Sequence, residues 1–135
     1  MATEVSTVIS DLAPDGSWVG SVKTSTLQRV LKENPVGVTT IADADSPYTV
    51  GTGVGLLLVA NTSALTVNLP AAADSAGRVL TVKKTTADAE IVTLDGNASE
   101  TINGATTNTS IDANHDTLTL ACDGTGWHIV ASIIA

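Results

Sequence analysis

LTVNLPAAADSAGRVLTVKK, residues 65–84, is the stretch whose reading decides the fold. Leu65, Val67 and Leu69 alternate with Thr66 and Asn68, the period-2 pattern of a strand with one buried face. Pro70 removes a backbone donor, so a ladder must stop there or run along an edge. Small residues follow, and Gly77 lets the chain turn before Arg78 opens a second strand, in which Leu80 and Val82 alternate with Val79, Thr81 and Lys83. The stretch predicts a strand, a tight turn and another strand.

Downstream the same texture continues. Residues 91–94 form a strand pattern ending at Asp95-Gly96, and Asn103-Gly104 is a turn signal followed by a Thr/Asn-rich stretch. Leu118, Leu120 and Cys122 face one way and Thr117, Thr119 and Ala121 the other, before Asp123-Gly124 turns the chain into residues 127–134. Upstream, residues 48–50 read as a first strand after an acidic turn containing Asp43, Asp45 and Pro47, and Gly51, Gly53 and Gly55 precede the apolar run at 56–60. Short strands punctuated by Asp-Gly and Asn-Gly predict an antiparallel-rich all-β fold.

Residues 1–40 differ. Ser25 caps a short helical pattern with Leu27, Val30 and Leu31 on one face, and Asn34-Pro35 stops it. Trp18 and Val22 suggest a short strand. Two to three helical turns are marginal alone, so residues 1–40 read as an arm that docks on a partner and residues 41–135 as a β-rich domain.

Composition narrows the function. The 135 residues include no Phe, one Tyr (Tyr48) and two Trp (Trp18 and Trp127), so the core must come from small and β-branched groups. A net charge of -8 argues against nucleic acid, which needs clustered Lys and Arg. Lys83-Lys84 is the one basic pair in the β-rich part and reads as a solvated strand end. Cys122 is the single cysteine and reads as a small buried apolar residue. Without a signal-like start or an apolar run of ~20 residues, the expectation is synthesis in a cytoplasm and no membrane span.

Candidate chemistry is sparse. Gly51, Gly53 and Gly55 lack the spacing and the following helix of a dinucleotide loop and read as a turn or bulge. His115 and His128 with one thiol do not make a zinc set, and no metal or cofactor is expected. Asp43/Asp45, Asp88/Glu90 and Asp112/Asp116 are carboxylate pairs that a glycosidase needs in a cleft; turn acids are the reading preferred here, with no enzyme. Asn61, Asn97 and Asn108 begin glycosylation-type triplets, expected by chance in an Asn- and Thr-rich chain.

Taken in order, the pieces are Tyr48-Thr49-Val50, the run at 56–60, LTVNLPAAADSAGRVLTVKK, the DGNASETINGA at 95–105 and the closing LTLACDGTGWHIV at 118–130. This arrangement resembles modules of bacteriophage tail-fibre, head-fibre and other virion appendage proteins. The resemblance implies a homotrimer, intertwined or side by side, that belongs to a virion. Three chains packing apolar faces together would also cover strand edges. The positions assigned to that core or shared seam are Leu65, Val67, Leu69, Leu80, Val82, Leu118, Leu120, Trp127 and Ile129. Trp18, Leu27, Val30 and Leu31 are assigned to attachment on a phage capsid or tail protein. The functional expectation is a structural virion subunit: fibre, spike or capsid decoration. The alternatives are a receptor- or glycan-binding tip, sought in residues 104–114, and a polysaccharide-degrading fragment.

Overall fold

The period-2 stretches become nine strands among residues 37–135, the part of the chain that this computed structural model describes. The helical pattern at 25–34, the short strand at Trp18 and the four arm residues lie outside the described residues. The strands are β1 (Gly37–Ala42), β2 (Tyr48–Thr49), β3 (Val54–Ala60), β4 (Leu65–Asn68), β5 (Val79–Lys84), β6 (Val92–Asp95), β7 (Thr107–Ile111), β8 (Thr117–Cys122) and β9 (Trp127–Ile133). β1 begins upstream of the boundary expected at residue 41, and residues 37–135 belong to one unit.

Two mixed sheets result, one ordered β1-β3-β5-β8-β9 and the other β2-β4-β6-β7. From β1 to β6 the chain steps from one sheet to the other at every connection. Alternate strands therefore stack in parallel: β1 on β3 on β5, and β2 on β4 on β6. Only the last three strands reverse, β7 on β6, β8 on β5 and β9 on β8. This corrects the antiparallel-rich expectation. Turn residues permit a change of direction but do not say whether the chain returns in its own sheet or crosses to the facing one.

The deciding stretch shows the difference. β4 and β5 are strand, turn and strand, yet they lie in opposite sheets. Pro70 ends β4, a 3-10 turn at Ala72–Asp74 carries the chain across, and Gly77 takes a positive φ of 80° before β5. The Asp123-Gly124 turn does make a hairpin: Asp123 Oδ1 accepts from the Thr125 and Gly126 N–H groups, and β9 returns on β8. Asn103 and Gly104 both have positive φ, 51° and 91°, as a tight two-residue reversal demands, and Ile102 and Ala105 exchange backbone hydrogen bonds across it. At Asp95-Gly96 the turn falls later, around Asn97–Glu100, and Gly96 serves close approach: a Cβ there would overlap the Glu100 carbonyl.

Between the sheets lies a single core. Leu57 and Val59 of β3, Leu80 and Val82 of β5 and Leu118 and Leu120 of β8 meet Leu65, Val67, Val92 and Leu94 of the other sheet. Ile41, Val50, Val54, Leu69, Ala72, Ile102, Ile111, Cys122 and Trp127 complete it. Each Val or Leu fully buried contributes about 1.5–3 kcal/mol, so many small residues do what few aromatics do elsewhere. Trp127 is buried and its Nε1 donates to the Pro70 carbonyl at 3.3 Å, tying β9 to the end of β4.

Candidate assembly surface

The predicted core-or-seam residues come together inside one chain. Leu65, Val67, Leu69, Leu80, Val82, Leu118, Leu120 and Trp127 are buried, and Ile129 packs half-buried against them. The fully buried ones do not reach the surface of one chain.

Other side chains line the outer face of the five-stranded sheet. Register places Val38, Leu56, Thr81, Thr119 and Ala131 in one row across it, and Thr40, Leu58, Lys83, Thr117 and Ile133 in the next. Val79 and Ala121 are neighbours on the same face. Val38, Val79 and Ile133 are 59%, 55% and 70% exposed, far above what burial of a large aliphatic allows. Thr81 and Thr119 share a hydroxyl hydrogen bond of 3.1 Å, leaving their methyl groups in the apolar row. Every Asp and Glu among residues 37–135 lies outside the strands of this sheet. In a chain of net charge -8, this face mixes exposed aliphatic groups with threonines and Lys83, and its acids are confined to the edge, where Asp123 meets His128, the register partner of Ala121.

The four-stranded sheet is polar outside. Thr49, Asn68, Asp95 and Thr107 form one row in register. An open cleft of about 310 Å³ is lined there by Thr49, Asn68, Leu69, Asp95, Gly96, Asn97 and Ala98. Within the Thr/Asn-rich stretch sought as a loop, residues 107–111 form β7, an exposed edge strand of this sheet.

The acids read as possible catalytic pairs hold turns together. Asp43 accepts from the backbone and hydroxyl of Thr62 at 2.8 and 2.6 Å, and these bonds, the Thr62 hydroxyl foremost, hold its carboxyl below the usual range. Asp45 accepts from the Ala42 N–H. Asp116 is buried, and burial is the largest single influence on it, pushing upward. The N–H groups of Ala135, Asp112 and Ala113 outweigh burial and keep its carboxyl low. Asp123 is held well below the ordinary value, first by the His128 ring at 2.8 Å and then by Thr125.

These depressed values set the acid response. A carboxyl whose folded value lies below 3.8 stabilises the fold above that pH, and the contribution disappears as pH falls beneath it. Urea midpoints are expected to hold level from neutral pH to about 4 and drop between about 4 and 2. Asp43→Asn should show a shallower drop; identical acid limbs for the two proteins would refute the assignment.

Lys84 corrects a sequence expectation. Far from a solvated strand end, it is fully buried, because it continues the inward parity of Leu80 and Val82. Its Nζ donates to Asn61 Oδ1 at 2.8 Å, Thr86 Oγ1 at 3.0 Å and Asp88 Oδ1 at 2.8 Å. That ammonium holds the Asp88 carboxyl at about 2. Asn61, also fully buried, donates its Nδ2 to the carbonyls of Ser63 at 2.9 Å and Glu90 at 3.2 Å. Burial of Asn61 takes one of the three glycosylation-type triplets out of reach. The strand parity at 80, 82 and 84 was the available signal for Lys84; the basic pair concealed it.

The remaining candidates are local. Arg78 donates to the carbonyls of Gly51 and, at 2.8 Å, Val54, so the Gly-Thr-Gly segment is a turn pinned by a side chain. Register between β1 and β3 slips beside Gly55, a bulge. His115 sits in a turn with φ of 73°, and His128 is exposed on β9. Cys122 is buried, its Sγ 3.5 Å from the Ala72 carbonyl. Among the described residues no three His, Cys, Asp or Glu cluster as metal ligands, and no helix is long and apolar enough to cross a membrane.

Against known proteins, no protein-family profile matches the chain and no curated sequence does.

Proposed function

We propose that the chain is a structural subunit of a phage virion, a fibre, spike or capsid-decoration protein that assembles as a homotrimer and is held on the particle by its N-terminal region. The observation that carries this reading is the set of exposed aliphatic side chains on the outer face of the five-stranded sheet, whose strands contain no Asp or Glu. Like-charged acidic chains repel, so copies associate best through a surface that brings no acids together. Val38, Leu56, Leu58, Val79 and Ile133 then replace the interior residues as the shared seam. The order of motifs from Tyr48 to Val130 supports the same reading by its resemblance to virion appendages.

In this reading the residues ahead of β1 contact a capsid or tail protein. Light scattering on the purified chain is the direct test. A mass of three chains is expected at micromolar concentration, and a monodisperse single chain overturns the proposal. Labelled protein located on intact particles by electron microscopy then distinguishes head from tail.

A glycan-binding tip is the second reading, and the polar cleft beside Asp95 favours it. Asn and Asp side chains at a sheet face suit sugar hydroxyls, and three linked copies gain avidity. Defined glycan-array hits that Asp95→Ala abolishes would move the assignment to this reading.

A further inference from the structure

Lys84 ends β5 and Asn61 directly follows β3, the strand beside it, where Val59 and Lys84 are register partners. Both side chains are fully buried and their polar ends touch, Nζ to Oδ1 at 2.8 Å. Because a carbonyl carbon lies about 1.2 Å from its oxygen, Nζ is within about 4 Å of Asn61 Cγ. The amide is oriented by two further bonds, from its Nδ2 to the Ser63 and Glu90 carbonyls. A carboxylate, Asp88 Oδ1, contacts the same Nζ at 2.8 Å. An amine and an amide, both fully buried, are thus gathered beside a carboxylate that is 31% exposed.

We infer that Lys84 and Asn61 join in an intramolecular amide bond, with Asp88 as the general acid and base. Asp88 takes a proton from the Lys84 ammonium, and the neutral amine adds to Asn61 Cγ. The Cγ–Nδ2 bond breaks as protons pass from Nζ and Asp88 to the departing nitrogen. Ammonium leaves, Asp88 is ionised again, and Lys84 and Asn61 share a neutral amide. No oxidant, metal or second substrate enters the balance. Held reactants of this kind reach effective concentrations of about 10⁵ M or more, which suits a slow, single-turnover reaction between weak partners. The bond would fasten two neighbouring parallel strands covalently in a chain with one cysteine and hence no disulfide of its own.

Mass spectrometry of the full-length chain, held folded at neutral pH, tests this. The expected result is an intact mass short by one ammonia. Trypsin should then release a branched peptide joining residues 33–78 to 84–135, since a linked Lys84 is no cleavage site and no Lys or Arg follows it. Asp88→Asn, shown folded by its circular dichroism, should lose most of the link, and Asn61→Ala all of it. A linear peptide beginning at Thr85 together with an unshortened mass overturns the inference. So does an ammonia loss without branching, which is the signature of cyclisation at Asn103-Gly104. The outcome is independent of the trimer mass.

Discussion

Lys84→Ala is expected to lower the unfolding free energy by about 2–4 kcal/mol, the cost of leaving buried Asn61 without its donor together with the lost packing of a buried side chain. Several effects add. The substitution leaves Asn61 Oδ1 without its donor in the interior, opens space beneath the sheet, and releases Asp88, which is 31% exposed and can turn to water. The covalent link proposed above increases the loss further, because it also constrains the unfolded chain. Lys84→Met, which refills the space but supplies no donor, should recover only part of the deficit. Chemical denaturation followed through Trp127 reads these differences as shifts in midpoint at unchanged slope. Equal stability of Lys84→Ala and the parent chain would mean that the three contacts contribute nothing.

Val79→Glu is the second large effect. Val79 lies on the outer face with 55% of its surface exposed, so one chain has room for the longer side chain and its own fold should keep its melting temperature within a few degrees. In an assembly the same substitution places one carboxylate per chain in an apolar seam. Lost burial of roughly 1–2 kcal/mol per chain, with three like charges brought together, should weaken association at least about a hundredfold. Sedimentation at micromolar concentration is expected to show single chains for Val79→Glu. Thr66→Glu, on the outer face of the other sheet, should leave the three-chain mass unchanged. Trimers persisting in Val79→Glu would move the seam elsewhere.

Much of this molecule is written locally. The alternation of Leu65, Val67 and Leu69, of Leu80 and Val82, and of Leu118 and Leu120 marks both the strands and their inward sides, because a pleated strand presents successive side chains to opposite faces. Asn103-Gly104 and Asp123-Gly124 mark reversals because their backbone geometry, with positive φ at Asn103, Gly104 and Gly124, is open to few residue types. The turn acid Asp123 was legible because a short carboxylate reaches nearby N–H groups, whereas Asp43 reaches Thr62 and Ser63 far along the chain.

The site was less legible. Composition located the apolar residues that fill the interior but not those left on the outside, since Leu56, Leu57 and Leu58 are identical in type and differ only in which sheet face they meet. Lys84 was hidden because a lysine at a strand end is ordinarily solvated; here acceptors from three separate positions, Asn61, Thr86 and Asp88, compensate its charge.

By itself, then, the amino-acid order determined that most of residues 41–135 would be strands and turns, and which side of the alternating strands would be buried. The tertiary structure alone decided that alternate strands stack in parallel, that Lys84 lies inside, and that one sheet turns exposed aliphatic side chains outward. The division is physical. Alternation and turn geometry act between residues a few positions apart, whereas strand partners, the cage around an ammonium and an uncovered face are set by contacts between segments distant in the chain.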